Sequence, residues 1–451
     1  MNLWPLAYRA LTAAAAPAVR ACLRARCRRG KEDQARLGER FGIAAMPRPP
    51  GPLLWLHAAS VGEAASVMAL IERILRERPA LEILLTTGTV AAARLAAARL
   101  PCRARHQYVP VDLPGAVARF LDHWRPDLAI WVESELWPNL VLATRQRRIP
   151  MLLVNARLSA GSAARWRRAP GLARSIIGSF ALCLAQDAVQ ADRLRRLGAT
   201  SVFSVGDLKA AAPPLAADKR ALARLARDIG GRPVWLAAST HPGEEEIVAA
   251  AHLRIAADHP QVLTILAPRH PPRGPAIAGM LREQGSRVAR RGAGERVAVD
   301  TDIYLADTLG ELGLFYRLAG IALIGGSLAG KGGHNPFEAA RLDCAIVHGP
   351  DMTNCAAMAA ALAAADATVT VHDPQSLAEA ASRLLADPAT RDARAGAAAR
   401  VAADGDRVLD DALQTIAPWL DALAPVAGPR ELRQKPANAI ADAVLGADAR
   451  A

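Results

Sequence analysis

Lysine is scarce in this chain. Of 56 basic residues only Lys31, Lys209, Lys219, Lys331 and Lys435 are lysines, and the rest are arginines. Aromatics are few, at 4%, and no basic stretch is interleaved with stacking rings. That argues against a dedicated nucleic-acid reader. The six cysteines, Cys22, Cys27, Cys102, Cys183, Cys344 and Cys355, form no C-x-x-C pair. Neither a disulfide framework nor a zinc motif is expected, and a reducing compartment fits. His57, His241, His270 and His334 stand at no metal-ligand spacing, so no metal is expected. A long apolar run is missing too. The N-terminus, "MNLWPLAYRALTAAAAPAVRACLRARCRRGK", is interrupted by Arg9 and Arg20, and a spanning helix needs about 20 clean apolar residues. No charged region precedes it and Arg9 breaks the apolar stretch, so a cleaved signal peptide is not expected.

What is present is a globular composition: 451 residues, 52% hydrophobic and 22% charged. That length predicts two or three domains with buried cores. The net charge of +13 favours an acidic partner, whether nucleic acid, an anionic membrane or a phosphorylated substrate; a bias of the chain toward Arg and Ala accounts for much of it. Trp4, Tyr8 and Leu11 fall on one helical face, and Arg24, Arg26, Arg28, Arg29 and Lys31 follow. The pattern suits an interfacial anchor with its basic end in the cytoplasm. The plainer reading is an amphipathic helix packed on the protein.

The rest alternates short apolar runs with helical stretches. "PLLWLHA", "LEILLTTG", "DLAIWVES", "IPMLLVNA", "ALCLAQD" and "SVFSVGD" read as buried strands. "KAAAPPLAADK" interrupts near residue 210, and the pattern restarts with "PVWLAAST", "VLTILAPRH", "SRVAR", "IALIGGS", "CAIVHG" and "ATVTV". Strand–helix alternation predicts parallel sheets with crossover helices. The fold expected is α/β: two Rossmann-like domains with a central cleft, preceded by an anchor helix. The boundaries are 1–30 for the membrane-associating helix, 31–210 for the first domain, 211–425 for the second and 426–451 for a tail. Ligands in such sheets bind beyond the carboxyl ends of the strands, so residues there are the candidates.

Three glutamates sit at such positions in capping patterns. "SVGE" places Ser60 and Glu63 three apart, "TLGE" does the same with Thr308 and Glu311, and "NPFE" gives Asn335 as cap, Pro336 at the first helical position and Glu338 three after the cap. Capping alone explains each, yet a carboxylate there also accepts a ribose hydroxyl or a proton. "LIGGSLAGKGGHNPFEAA" adds a Gly-rich turn before the helix expected at Pro336, a phosphate site by its dipole and free N–H groups. Gly325 to Lys331 matches G-x-x-x-x-G-K, but Gly332 stands where a Walker loop needs Ser or Thr, and Ala329 breaks the serine-hydrolase elbow. "LAPRHPPR" offers Arg269 and His270 as an anion clamp. "WVESELWPN" places Glu133 and Glu135 between Trp131 and Trp137, and "GDLKA" sets Lys209 at the domain junction as a compact point charge.

Taken together, "WLHAASVGE", "TTGT", "VPVDLP", "WVESELWPNL", "NARLS", "GDLK", "LAPRHPPR", "DTLGELGLFY" and "GGSLAGKGGHNPFEAA" resemble the 3-deoxy-D-manno-octulosonic acid (Kdo) transferases, in order, from the N-terminus to about residue 420. The resemblance implies the glycosyltransferase B architecture and transfer of Kdo from CMP-Kdo to the lipid A precursor, lipid IV(A), with inversion and with no metal or cofactor. It implies Glu63 as general base, with Glu133 and Lys209 stabilising charge in the transition state. Pro268 and Arg269, Gly310, Glu311 and Leu312, and Asn335, Pro336, Phe337 and Glu338 would hold CMP. The partners implied are the donor, the lipid acceptor and the anionic surface of the inner membrane at its cytoplasmic face. The alternative is another sugar-nucleotide glycosyltransferase or an epimerase of the same fold.

Overall fold

The computed structural model of the protein describes residues 4–423. The chain divides into two compact units. One comprises the residues up to Ala212 together with those from Arg407 onward, and the other is Pro213–Asp406.

The first unit holds strands β1 (Leu53–His57), β2 (Glu82–Thr87), β3 (Ala104–Tyr108), β4 (Leu128–Val132), β5 (Met151–Ala156), β6 (Leu182–Ala185) and β7 (Val202–Ser204). They form one parallel sheet in the order β3-β2-β1-β4-β5-β6-β7. Side chains alternate between its faces. Leu53 and Trp55 enter a core with Phe120, Trp124 and Trp131, while Leu54 and Leu56 enter another with Ile71, Ile74 and Leu85. Burial on both faces is why β1 and β4 read as unbroken apolar runs.

The second unit repeats the scheme with β8 (Val234–Thr240), β9 (Leu263–Pro268), β10 (Val288–Arg290), β11 (Ile303–Leu305), β12 (Ile321–Ile324), β13 (Ala345–His348) and β14 (Thr368–Thr370). Their order is β10-β11-β9-β8-β12-β13-β14, again parallel. β1 and β8 therefore hold equivalent places, each at the point where the strand order reverses, where such sheets bind ligands.

Two strands were not among those expected. β3 reads "ARHQY" and has no apolar run, and several of its polar groups find partners inside the fold. His106 pairs with Thr87 and Arg36, and Gln107 accepts from the Trp124 indole at 2.7 Å. β11 is only three residues long.

The division of the chain also differs from the expected boundaries. The helix Arg407–Asp421, expected within the second domain as 211–425, belongs to the first unit. Its stripe of Ala412, Leu413, Ile416, Trp419 and Leu420 completes the core beneath Leu54 and Leu56, so hydrophobic burial overrides proximity in sequence. The tail expected over 426–451 lies outside the described residues.

The N-terminal segment is two helices, Trp4–Ala14 and Ala16–Arg28, parted near Pro17, which sits in the first turn of the second. Among the described residues no helix is long and apolar enough to cross a membrane. The first helix has a packed face and an open one. The Tyr8 hydroxyl donates to Asp112 at 2.9 Å and Asn139 donates to the Thr12 hydroxyl at 2.8 Å. Trp4, Leu6 and Leu11 remain 60%, 63% and 69% exposed.

Candidate active site

In the first unit, β1 delivers the chain to Ser60, which caps the helix Val61–Ser66 by accepting from the Glu63 N–H at 3.2 Å. A capping box would return the Glu63 carboxylate to the Ser60 N–H. Instead it reaches one residue further back, accepting from the Ala59 N–H at 2.8 Å and from the Ser60 hydroxyl at 3.0 Å. The residue is 8% exposed. Burial, and next the charge of Glu133, push its pKa up to about 7, against the pull of the Ala59 and Ser60 bonds, with Glu135 adding a smaller upward push.

Glu133 follows β4 with φ of 60°, a left-handed conformation uncommon for a residue with a side chain. Its carboxylate receives the Lys209 ammonium at 2.7 Å. Lys209 is held by groups that the motif reading missed. Its N–H donates to the Asp207 carboxylate at 2.9 Å, and the neighbouring Leu208 N–H donates to Asn155 Oδ1 at 2.9 Å. Asn155, with φ of 56°, lies where β5 loses register with β6. Burial lifts the Asp207 carboxyl above the ordinary range, while Lys209 pulls it down. Thus Glu63, Glu133 and Lys209, distant in sequence, come together at the carboxyl ends of β1, β4 and β7. Trp131 is wholly buried in the core, whereas Trp137 is 45% exposed. His57 is also a core residue, bonded to Thr86 at 3.0 Å and lowered by burial to a pKa of about 4.

In the second unit the Gly-rich loop differs from expectation. The helix after it is a single turn, Phe337–Ala340, too short for an appreciable dipole. Asn335 Oδ1 accepts from the Phe337 N–H at 3.0 Å, and Phe337 itself is buried. Many of the loop amides are engaged within the protein. Gly325 donates to Ala238 at 2.8 Å, Gly326 and Leu328 to the Glu244 carboxylate at 2.7 and 2.9 Å, and Gly332 to Asp351 at 2.8 Å. Gly333 and His334 donate back to the Gly326 and Gly325 carbonyls. These bonds fold the loop back on itself and turn the amides of Gly325, Gly326, Leu328, Gly332, Gly333 and His334 into the protein.

The other expected ligand residues lie close by in the sheet order. Pro268 ends β9, and the exposed Arg269 donates its N–H to Thr240 at 2.9 Å. Gly310 turns with φ of 82°, which suits glycine. Glu311 ends that turn and Leu312 starts the short helix Leu312–Tyr316. Arg291 Nε donates to Glu311 at 2.6 Å, and this contact, with help from Thr308, holds the carboxyl below its usual range. Beside it a cavity of about 320 Å³ is lined by Arg224, Asp228, Arg291, Arg296, Tyr304 and Glu311, among others.

Comparison with known proteins places this geometry. The family described as "3-Deoxy-D-manno-octulosonic-acid transferase (kdotransferase)" matches residues 35–212. The Arabidopsis thaliana protein described as "Probable 3-deoxy-D-manno-octulosonic acid transferase, mitochondrial" is 37% identical over 392 residues, covering 84% of this chain and 88% of that protein. The 3-deoxy-D-manno-octulosonic acid transferase of Haemophilus influenzae is 35% identical over 332 residues, covering 71% and 76%. Among solved structures, a UDP-GlcNAc 2-epimerase from Neisseria meningitidis bound to UDP-GlcNAc aligns with a TM-score of 0.57 at 13% identity, covering 81% of this chain and all of that one; this likeness is one of fold. The two parallel seven-stranded sheets are those of the glycosyltransferase B architecture. On the extent of these sequence matches, the chain belongs to the Kdo transferase family of glycosyltransferases.

Proposed function

We propose that this chain moves Kdo from CMP-Kdo to the lipid A precursor, with inversion at the anomeric carbon, in building the lipopolysaccharide inner core. The observation that carries the reading is Glu63, a nearly buried carboxylate with a pKa of about 7. A base works best when its pKa lies near the working pH. Glu63 accepts the proton of the acceptor hydroxyl as that oxygen attacks the donor. Glu133 keeps Glu63 basic through its charge, and the Lys209 ammonium, fixed against Glu133, stabilises negative charge developing in the transition state.

The second unit holds the CMP moiety through Pro268 and Arg269, Gly310 to Leu312, and Asn335 to Glu338. Its Glu311 carboxylate is an acceptor for ribose hydroxyls once Arg291 yields. The exposed Trp4, Leu6 and Leu11, with the arginines that follow, bring the enzyme to the anionic cytoplasmic face of the inner membrane, where the lipid acceptor lies.

The test is to incubate the purified chain with CMP-Kdo and lipid A precursor and weigh the product. A gain of one or more Kdo residues supports the reading. An unmodified acceptor beside an epimerised or hydrolysed sugar nucleotide refutes it in favour of another activity on this fold.

A further inference from the structure

The second unit gathers three imidazoles beside its Gly-rich loop, and the function proposed above gives them no task. His241 follows β8 and His334 closes the loop. Their Nε2 atoms lie 3.0 Å apart, with ring planes within 10° and centroids 5.2 Å apart. His270 stands edge-on to His241 at 5.8 Å. Gly326, with φ of 75°, lies against both rings, and a Cβ there would meet them at 3.4 and 3.5 Å.

Two facing Nε2 atoms share one proton, one donating and the other accepting. A second proton between them would set two donors against each other. Burial first, and then Arg269, His241 and His270, lower His334 to a pKa of about 4. Burial also lowers His241; Glu244 opposes this, His270 and Arg269 reinforce it, and Glu245 opposes it more weakly. Both glutamates are committed elsewhere, Glu244 to loop amides and Glu245 to Arg273 at 2.7 Å. The amides of Gly325, Gly326, Leu328, Gly332, Gly333 and His334 are engaged within the protein. An anion arriving beside these six amides meets the imidazoles of His241, His270 and His334.

We propose that the His241–His334 pair is the phosphate receptor of the second unit. The pair opens so that both nitrogens donate to phosphate oxygens, and it takes up a proton as the phosphate binds. The anion supplies the charge that makes double protonation favourable. The inference rests on the reading that this unit holds CMP-Kdo. When the anomeric C–O bond of the donor breaks, its electron pair stays on the phosphate, which goes from one negative charge to two. The doubly protonated pair meets that added charge, and the acceptor hydroxyl proton passes to Glu63.

Calorimetry of the full chain with CMP, sulfate or cytidine, in buffers of differing ionisation enthalpy, counts the protons. At pH 8 a phosphate monoester, with its second pKa of about 6, is already ionised, so uptake of about one proton per CMP belongs to the protein. Sulfate should give the same uptake and cytidine none. CMP affinity should fall about tenfold per pH unit between the pKa of the free pair and that of the liganded pair, the window in which one proton is linked to binding. His334→Gln and His241→Asn should each abolish the uptake and weaken CMP about tenfold or more at pH 7, the worth of a charge-assisted hydrogen bond. CMP binding without proton uptake, or uptake unchanged in both variants, overturns the proposal. Proton-linked sulfate binding without CMP binding would uphold the receptor and sink the donor reading instead. The wild-type count stands by itself should either variant fail to fold.

Discussion

Glu63 and Glu244 occupy matching places in the two units. Each lies in the first turn of the helix that follows the strand at which its sheet reverses order, β1 or β8. Their surroundings differ. Glu244 is fully buried and accepts from three backbone amides, those of His241 at 2.9 Å, Gly326 at 2.7 Å and Leu328 at 2.9 Å. Glu63 receives one amide and one hydroxyl and lies near the charge of Glu133. The first carboxylate is a structural keystone that holds the loop. The second has fewer donors, and burial, followed by the charge of Glu133, raises its proton affinity. The two carboxylates differ in the number of donors they accept from and in the charge beside them.

The sharpest break of this comparison is Glu63→Gln. Gln keeps the cap position but cannot take a proton, so turnover should fall about 10²–10⁴-fold. The folded pKa of about 7 exceeds the ordinary value of 4.5, so ionising Glu63 costs the folded state stability as pH rises across that window. At pH 8 the variant should therefore melt at or above the wild-type temperature. A lower melting point there, or near wild-type Kdo transfer, makes Glu63 a cap. Wild-type turnover should itself rise with pH and level off above about 7, as a pH–rate profile would record.

Glu244→Ala tests the other side. It strands three amides and should cost about 2–4 kcal/mol in denaturant unfolding, a loss that Glu63→Gln does not share. Unchanged stability would remove its keystone role. A smaller effect is expected of Lys209→Met, which leaves the Glu133 charge uncompensated beside Glu63. The acid limb of the pH–rate profile should move up by about 0.5–1 unit, and a limb that stays put would uncouple Lys209 from the base. Ser60→Ala is the mildest change. Losing the cap should cost about 1 kcal/mol and raise the same limb by a few tenths of a unit, because one bond to the carboxylate is gone.

The parallel sheets were legible because strands buried on both faces, such as "LLWLH" and "MLLVNA", leave unbroken apolar runs. β3 was not, because its His106 and Gln107 find partners only once Thr87 and Trp124 are folded against it. Glu63, Glu133 and Lys209 could be named from their motifs, and the fold brings them together. Asn155 and Asp207, which fix Lys209, stand in the quoted "NARLS" and "GDLK", but their task was not legible there, since it depends on a register shift in β5 and a short turn at Leu208. The Gly-rich loop was only partly legible for a related reason. Glycines and a Pro-started helix look alike in sequence whether their amides face a ligand or a buried Glu244. That difference is set by a residue some 80 positions away.

The returning helix Arg407–Asp421 bears on how the protein is made. Chains leave the ribosome from the N-terminus, and domains generally fold as they emerge. Here the residues of the first unit appear early, yet Leu413, Ile416, Trp419 and Leu420, which seal one of its cores, are synthesised only after all of Pro213–Asp406. The later-made unit is contiguous and has its whole core in hand first. The earlier-made one must wait with Leu54, Leu56 and their neighbours partly uncovered until translation has passed the helix. A nascent chain stalled before Arg407 thus carries a finished second unit and an open first one, an order of completion opposite to the order of synthesis.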